Sequence, residues 1–125
     1  MGCNNYPIGL YTVMQTVVET QTIIRQAESL FSDDEKMTVI DYIAANPLIG
    51  SEIPGAGGVR KIRVATEGKG KRSGARVIYY WYSDDAPIYA LAVYGKNKKI
   101  DLSAPEKKAV TAFAKAIKAE YRSKT

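Results

Sequence analysis

The spacing of hydrophobic and polar positions divides this chain into a strand, two helices, three further strands and a last helix. Residues 15–22, QTVVETQT, are rich in β-branched side chains and read as a strand. In the IIRQAESLF that follows, Ile23, Ala27, Leu30 and Phe31 recur at helical spacing. Next comes SDDEKMTVIDYIAANP, where Ser32 and Glu35 form a capping box that satisfies free backbone donors at a helix start. Asp33 and Asp34 suit the positive end of that helix dipole. The expected buried stripe is Met37, Ile40, Ile43 and Ala44, and Asn46-Pro47 ends the helix.

The glycine-rich LIGSEIPGAGG reads as a loop. VRKIRVA reads as a strand whose alternation sends Lys61 and Arg63 to one face and Ile62 and Val64 to the other. TEGKGKRSG is a basic connection. ARVIYYWYS and PIYALAVYG are apolar on both parities at their centres, as interior strands of an antiparallel sheet are, with Asp84, Asp85, Ala86 and Pro87 turning between them. Ser103 and Glu106 make a second capping box, with Pro105 tolerated in the first turn. Val110, Phe113, Ala114, Ile117 and Tyr121 line one face of the helix that follows. The fold class is therefore α+β, with two N-terminal helices and a C-terminal helix packed on a twisted, mainly antiparallel sheet.

A length of 125 residues fits one domain with a real core. The chain has no histidine and a single cysteine, Cys3, which argues against a zinc site and fits a reducing compartment. No apolar stretch is long enough to span a bilayer, and the N-terminus lacks a secretory pattern, so the expected location is the cytoplasm. Charge changes the picture more. The net value of +5 hides a balance of −5 over residues 1–58, +6 over residues 59–76 and +4 over the rest. Like charges crowded this way repel unless an anionic partner offsets them, which points to a polyanion-binding face and most often to nucleic acid. The bland alternative is a solvated surface. No phosphate-binding G-x-x-x-x-G-K-[ST] loop is present, so ATP is not expected.

In combination and in this order, GAGGVRKIRVATEGKGKRSGARVIYY and the later YGKN at residues 94–97 resemble the RelE/ParE superfamily of bacterial type II toxins, more narrowly its HigB-like branch. The resemblance starts near Met14 and runs into the C-terminal helix. It implies a RelE-like domain over residues 14–125, with residues 1–13 an extension outside the fold. It also implies the toxin component of a type II toxin–antitoxin system. Such a toxin is an endoribonuclease, an mRNA interferase that needs neither metal nor cofactor and cuts mRNA on the ribosome, inhibiting translation. The implied partners are mRNA, ribosomal RNA and a cognate helix-turn-helix, HigA-like antitoxin, and the free toxin is expected as a monomer. Two other readings share the scaffold: a ParE-like gyrase inhibitor and a non-catalytic RNA-binding regulator.

RNA cleavage by the 2′-hydroxyl needs a base, cations for the phosphorane and an acid for the leaving 5′-oxygen. Without histidine, lysine, tyrosine or the RNA itself must supply the proton transfers. Lys61 and Arg63 match the family's basic strand and originate about 7 Å apart on one face; a charged edge strand is the structural alternative. Arg76 matches the family's G-x-R-[VIL]-x-Y strand, where its fork suits the scissile phosphate; a salt bridge to Glu67 is the alternative. Tyr94 and Lys96, from YGKN, border the cleft and complete the catalytic candidates. Arg60, Lys69, Lys71 and Arg72 are candidate phosphate-backbone contacts. Tyr80 and Tyr82 are candidate platforms for base stacking, and Asn97 joins the RNA-binding set. Tyr79 and Trp81 are expected to pack against helices. Gly55, Gly57 and Gly58 offer close backbone approach to phosphate. A crowded lysine is the candidate base, its charged form disfavoured by other cations. Asn97 stands where one branch carries an arginine, and no tyrosine follows until Tyr121, so the base and acid stay open.

Overall fold

The computed structural model describes residues 15–65, 74–95 and 101–123. In chain order the elements are β1 (Val17–Glu19), α1 (Gln21–Glu28), α2 (Asp33–Ala45), β2 (Ser51–Glu52), β3 (Val59–Val64), β4 (Ala75–Tyr80), β5 (Ile88–Gly95) and α3 (Ala104–Ser123). The sheet order is β1-β5-β4-β3-β2, with β1 parallel to β5 and the other neighbours antiparallel. The expected α+β class and three-helix arrangement hold.

Both faces of the sheet are covered, which is why β4 and β5 are apolar on both parities. Against one face, Ile23 and Ala27 of α1, Leu30, Phe31, and Val39 and Ile43 of α2 pack on Ala75, Val77, Tyr79, Ile88, Ala90 and Val93. Against the other, Ala114 and Ile117 of α3 pack with Ala56, Val59, Ile78, Tyr80, Leu91 and Tyr94. Val110, Phe113 and Tyr121 lie along the same helix face, as the periodicity predicts. Trp81 packs against the first cluster and donates its Nε1–H to Gln15 Oε1 at 2.9 Å.

Both capping boxes form. Ser32 N–H donates to Glu35 Oε1 at 2.9 Å and Glu35 N–H to Ser32 Oγ at 3.1 Å; the pair at Ser103 and Glu106 repeats this at 2.8 and 3.3 Å. Three expectations need correction. The first strand covers Val17–Glu19 and not residues 15–22, because the Thr20 hydroxyl accepts the Ile23 N–H at 3.3 Å and starts α1 there. Met37 is 55% exposed. The buried stripe is set by Val39 and Ile43, four apart with Ile40 between them, and Met37 lies to its side. The loop before β3 contains a two-residue strand, β2, whose Ser51 and Glu52 pair with Lys61 and Arg60.

One irregularity matters for the site. Ile78 of β4 opposes Ala92 and Tyr79 opposes Ala90, so Leu91 is an extra residue on β5, a β-bulge. Tyr89 and Tyr94 are an odd number of residues apart and would face opposite sides of a regular strand. The bulge resets the alternation, and both contribute to the core beneath α3. Two side chains hold it: Thr20 Oγ1 donates to the Leu91 carbonyl at 3.0 Å, and Gln26 Oε1 accepts the Val93 N–H at 2.9 Å.

Candidate nucleic-acid interface

Register brings the first group of candidates together. Arg63 of β3 opposes Arg76 of β4, and Arg76 opposes Tyr94 of β5. Directly opposed residues of antiparallel strands share a face, so these three side chains form a row across the sheet. Lys61, two residues before Arg63, rises from that face beside the row. Among the described residues β3 pairs with β2 only at Arg60 and Lys61, so Arg63 retains the charged-edge alternative.

Lys61 and Tyr94 line a cleft of about 240 Å³ with Ile53, Pro54, Asp101, Leu102 and Lys107. Arg63 and Arg76 are ranged beside this cleft and do not line it. The loop wall is tied to β3 by the Ile53 N–H, which donates to the Val59 carbonyl at 2.8 Å. Lys107 enters because the capping box at Ser103 starts α3 at Ala104, placing the lysine in its first turn. Its ammonium lies 3.6 Å from where a Cβ on Gly55 would sit. Periodicity did not single out Asp101 or Lys107; the second capping box was the available signal, since it sets which residues of α3 fall in the first turn.

The electrostatics differ from an all-cation cluster. Lys61 Nζ donates to Asp101 Oδ1 at 3.2 Å, with the aspartate side chain 65% exposed and the lysine 26%. Lys61 therefore has an anion as a charged partner. Arg76 carries the opposite feature: its Nε–H is buried and has no hydrogen-bond partner, the one such side-chain atom among the described residues. An unpaired buried donor of this kind costs about 1–3 kcal/mol and is satisfied by whatever acceptor enters. Burial pushes the Tyr94 phenol above its ordinary value of 10, with Asp101 adding to the rise, Arg76 opposing it and Glu106 adding again. Tyr94 therefore holds its proton at neutral pH.

The remaining candidates are scattered. Arg60 is largely structural: Nη1 donates to the Gly50 carbonyl at 2.6 Å and the Leu48 carbonyl at 3.3 Å, and Nη2 meets Glu52 at 3.4 Å. With Tyr82 and Lys118 it borders a second cleft, near the other end of β3. Tyr80 is corrected: at 2% exposure its ring is core, and it offers no free face on which a base could stack. Tyr82 is half-buried, its ring 6.4 Å from that of Tyr121. Gly58, at φ +100°, lets the loop pass against Tyr80, where an added Cβ would lie 3.3 Å from the ring, so this glycine serves packing. Lys69, Lys71, Arg72, Lys96 and Asn97 lie outside the described residues, as does Glu67. Among the described residues no group of three or more acidic, cysteine or histidine side chains is placed to hold a metal ion, and no helix is long and apolar enough to cross a membrane.

An α+β domain with helices on both sheet faces and cations gathered over one end of it belongs to a class of small basic proteins suited to anionic partners. The family model for the RelE toxin of the RelE/RelB toxin–antitoxin system matches residues 15–124. The chain belongs to that family. It is the toxin of a toxin–antitoxin pair, and an antitoxin is its partner.

Proposed function

We propose that this toxin is a metal-independent endoribonuclease that cuts mRNA on the ribosome, belongs to the HigB-like branch and is silenced by a helix-turn-helix antitoxin. The observation that carries the reading is the register row Arg63, Arg76 and Tyr94, in which Arg76 keeps a buried N–H unpaired. A phosphodiester seated on that row supplies the missing acceptor, and the two guanidinium groups take up the charge that develops on the phosphorane. The 2′-oxygen forms a bond to phosphorus as the bond to the 5′-oxygen breaks, leaving a 2′,3′-cyclic phosphate and a 5′-hydroxyl. Tyr94, protonated at neutral pH, fits the acid that gives its proton to the departing 5′-oxygen. The 2′-hydroxyl proton goes to a base that the described residues do not identify, and in this reading Lys61, paired with Asp101, serves as a phosphate contact.

The test is expression in growing cells with mRNA 5′ ends mapped across the transcriptome. In-frame cuts in translated messages, lost in folded Arg76→Ala and Arg63→Ala variants, are the expected result. Intact messages with normal translation would overturn the reading, and a DNA-damage response in their place would favour gyrase as the target.

A further inference from the structure

Among the described residues Asp101 is the one carboxylate lining a cleft that also holds Lys61 and Lys107. It bonds Lys61 Nζ at 3.2 Å, raises the proton affinity of Tyr94, and shares the cleft with Lys107. The other nearby acid, Glu106, already accepts the Ser103 N–H at 2.8 Å as part of the helix cap. Nothing in the packing asks for Asp101: its side chain is 65% exposed, and it pairs with a lysine 40 residues away in the chain.

We infer that Asp101 is a resident counter-ion occupying the position of a backbone phosphate in the free toxin, and that Lys61 and Lys107 hold that phosphate once RNA displaces it. The inference rests on the nuclease reading only in taking RNA as the ligand. Lys61 comes from the sheet and Lys107 from the first turn of α3, so the two ammonium groups approach the cleft from different walls. A carboxylate and a phosphate oxygen offer an ammonium group the same kind of charged acceptor. An ion pair this exposed is weak, so a polyanion can replace it at small cost. Asp101 then keeps Lys61 oriented in the free protein and lowers affinity for stray anions.

The experiment measures binding of a short fluorescein-labelled single-stranded RNA by anisotropy over a salt series, without ribosomes and without reference to cleavage. Asp101→Asn should tighten binding about two- to fivefold, the range spanned by an exposed ion pair. Asp41→Asn, on the exposed face of α2 across the sheet, adds the same charge and should leave affinity unchanged. The Asp101→Asn gain should vanish in a Lys61→Ala background. Lys107→Ala should weaken binding and flatten the slope of log K against log salt by about 0.7, the share of one phosphate on a single strand. Equal gains from Asp41→Asn and Asp101→Asn would reduce the effect to net charge and overturn the inference, as would a gain that survives without Lys61. Cleavage is scored separately. Intact messages beside a normal Asp101 response would defeat the nuclease and spare the counter-ion, whereas cut messages beside no Asp101 response would do the reverse.

Discussion

Removing the acceptor that Gln26 offers to β5 tests the link between the bulge and the site. Gln26→Leu keeps the bulk of the side chain but leaves the Val93 N–H, now bonded at 2.9 Å, with no partner. Orphaning a fully buried donor costs about 1–3 kcal/mol, and this one is partly buried, so about 1–2 kcal/mol is expected. With a urea m-value of about 2 kcal/mol/M, the unfolding midpoint should fall by roughly 0.5–1 M at unchanged slope. Gln26→Glu retains an oxygen acceptor and should recover most of the loss. The consequence for function is sharper than the stability cost. The bulge sets which face Tyr94 occupies, so loosening it detaches Tyr94 from Arg76 while leaving both side chains in the chain. RNA cleavage should therefore drop in Gln26→Leu under conditions where the protein is still fully folded, and return in Gln26→Glu. A midpoint shift equal in the two variants, or a folded Gln26→Leu with undiminished cleavage, would refute the reasoning.

Arg76→Lys keeps the charge but loses the Nε–H and the planar fork, so cleavage should fall at least about tenfold, with Arg76→Ala lower still, measured as the rate of message loss after induction. Tyr94→Phe should slow cleavage while preserving RNA affinity. In the wild type any loss of rate from ionising Tyr94 should set in at a higher pH than for an ordinary phenol, because burial raises it. Tyr89 is pushed up to about 12 by burial and by its contact with the Tyr121 hydroxyl at 3.4 Å. Its folded value lies above its unfolded one, so its contribution to stability is complete below about pH 10 and is lost as pH rises toward 12; denaturant titrations should show that decline, flattened in Tyr89→Phe. Gly50→Ala would set a Cβ 2.8 Å from both the Lys61 carbonyl and the Tyr79 hydroxyl. That hydroxyl accepts the Gly50 N–H at 2.9 Å and donates to the Pro47 carbonyl at 2.8 Å, so the substitution should cost about 1–3 kcal/mol in chemical unfolding.

The starts of α2 and α3 were the most legible features of the chain. Ser32 with Glu35, and Ser103 with Glu106, fix α2 and α3 by local hydrogen bonds that need no tertiary information. Interior strands were legible too, since β4 and β5 must be apolar on both parities when helices cover both sheet faces. The two-residue β2 was not, because Ser51 and Glu52 carry no strand preference and pair through the neighbour that β3 provides. Met37 misled for a related reason: apolar residues at the flank of a helix stripe resemble those at its centre until the partner surface is known.

For the site, alternation placed Lys61 and Arg63 on one face, and the family likeness pointed to Arg76 and Tyr94. Neither could reveal why the four belong together. Period-two counting along PIYALAVYG puts Tyr94 on the face opposite Tyr89; the extra residue Leu91, held by Thr20 and Gln26 from a separate part of the chain, reverses that assignment. Charge counting along residues 59–76 could not show that Asp101 returns from beyond β5 to pair with Lys61. Among the described residues the one buried side-chain N–H without a partner is Arg76 Nε–H, sealed in the protein rather than crowded at its surface. With that buried donor open, the cluster is poised to bind negative charge. In the proposed reaction the proton given to the leaving oxygen then comes from Tyr94, whose phenol is raised chiefly by burial.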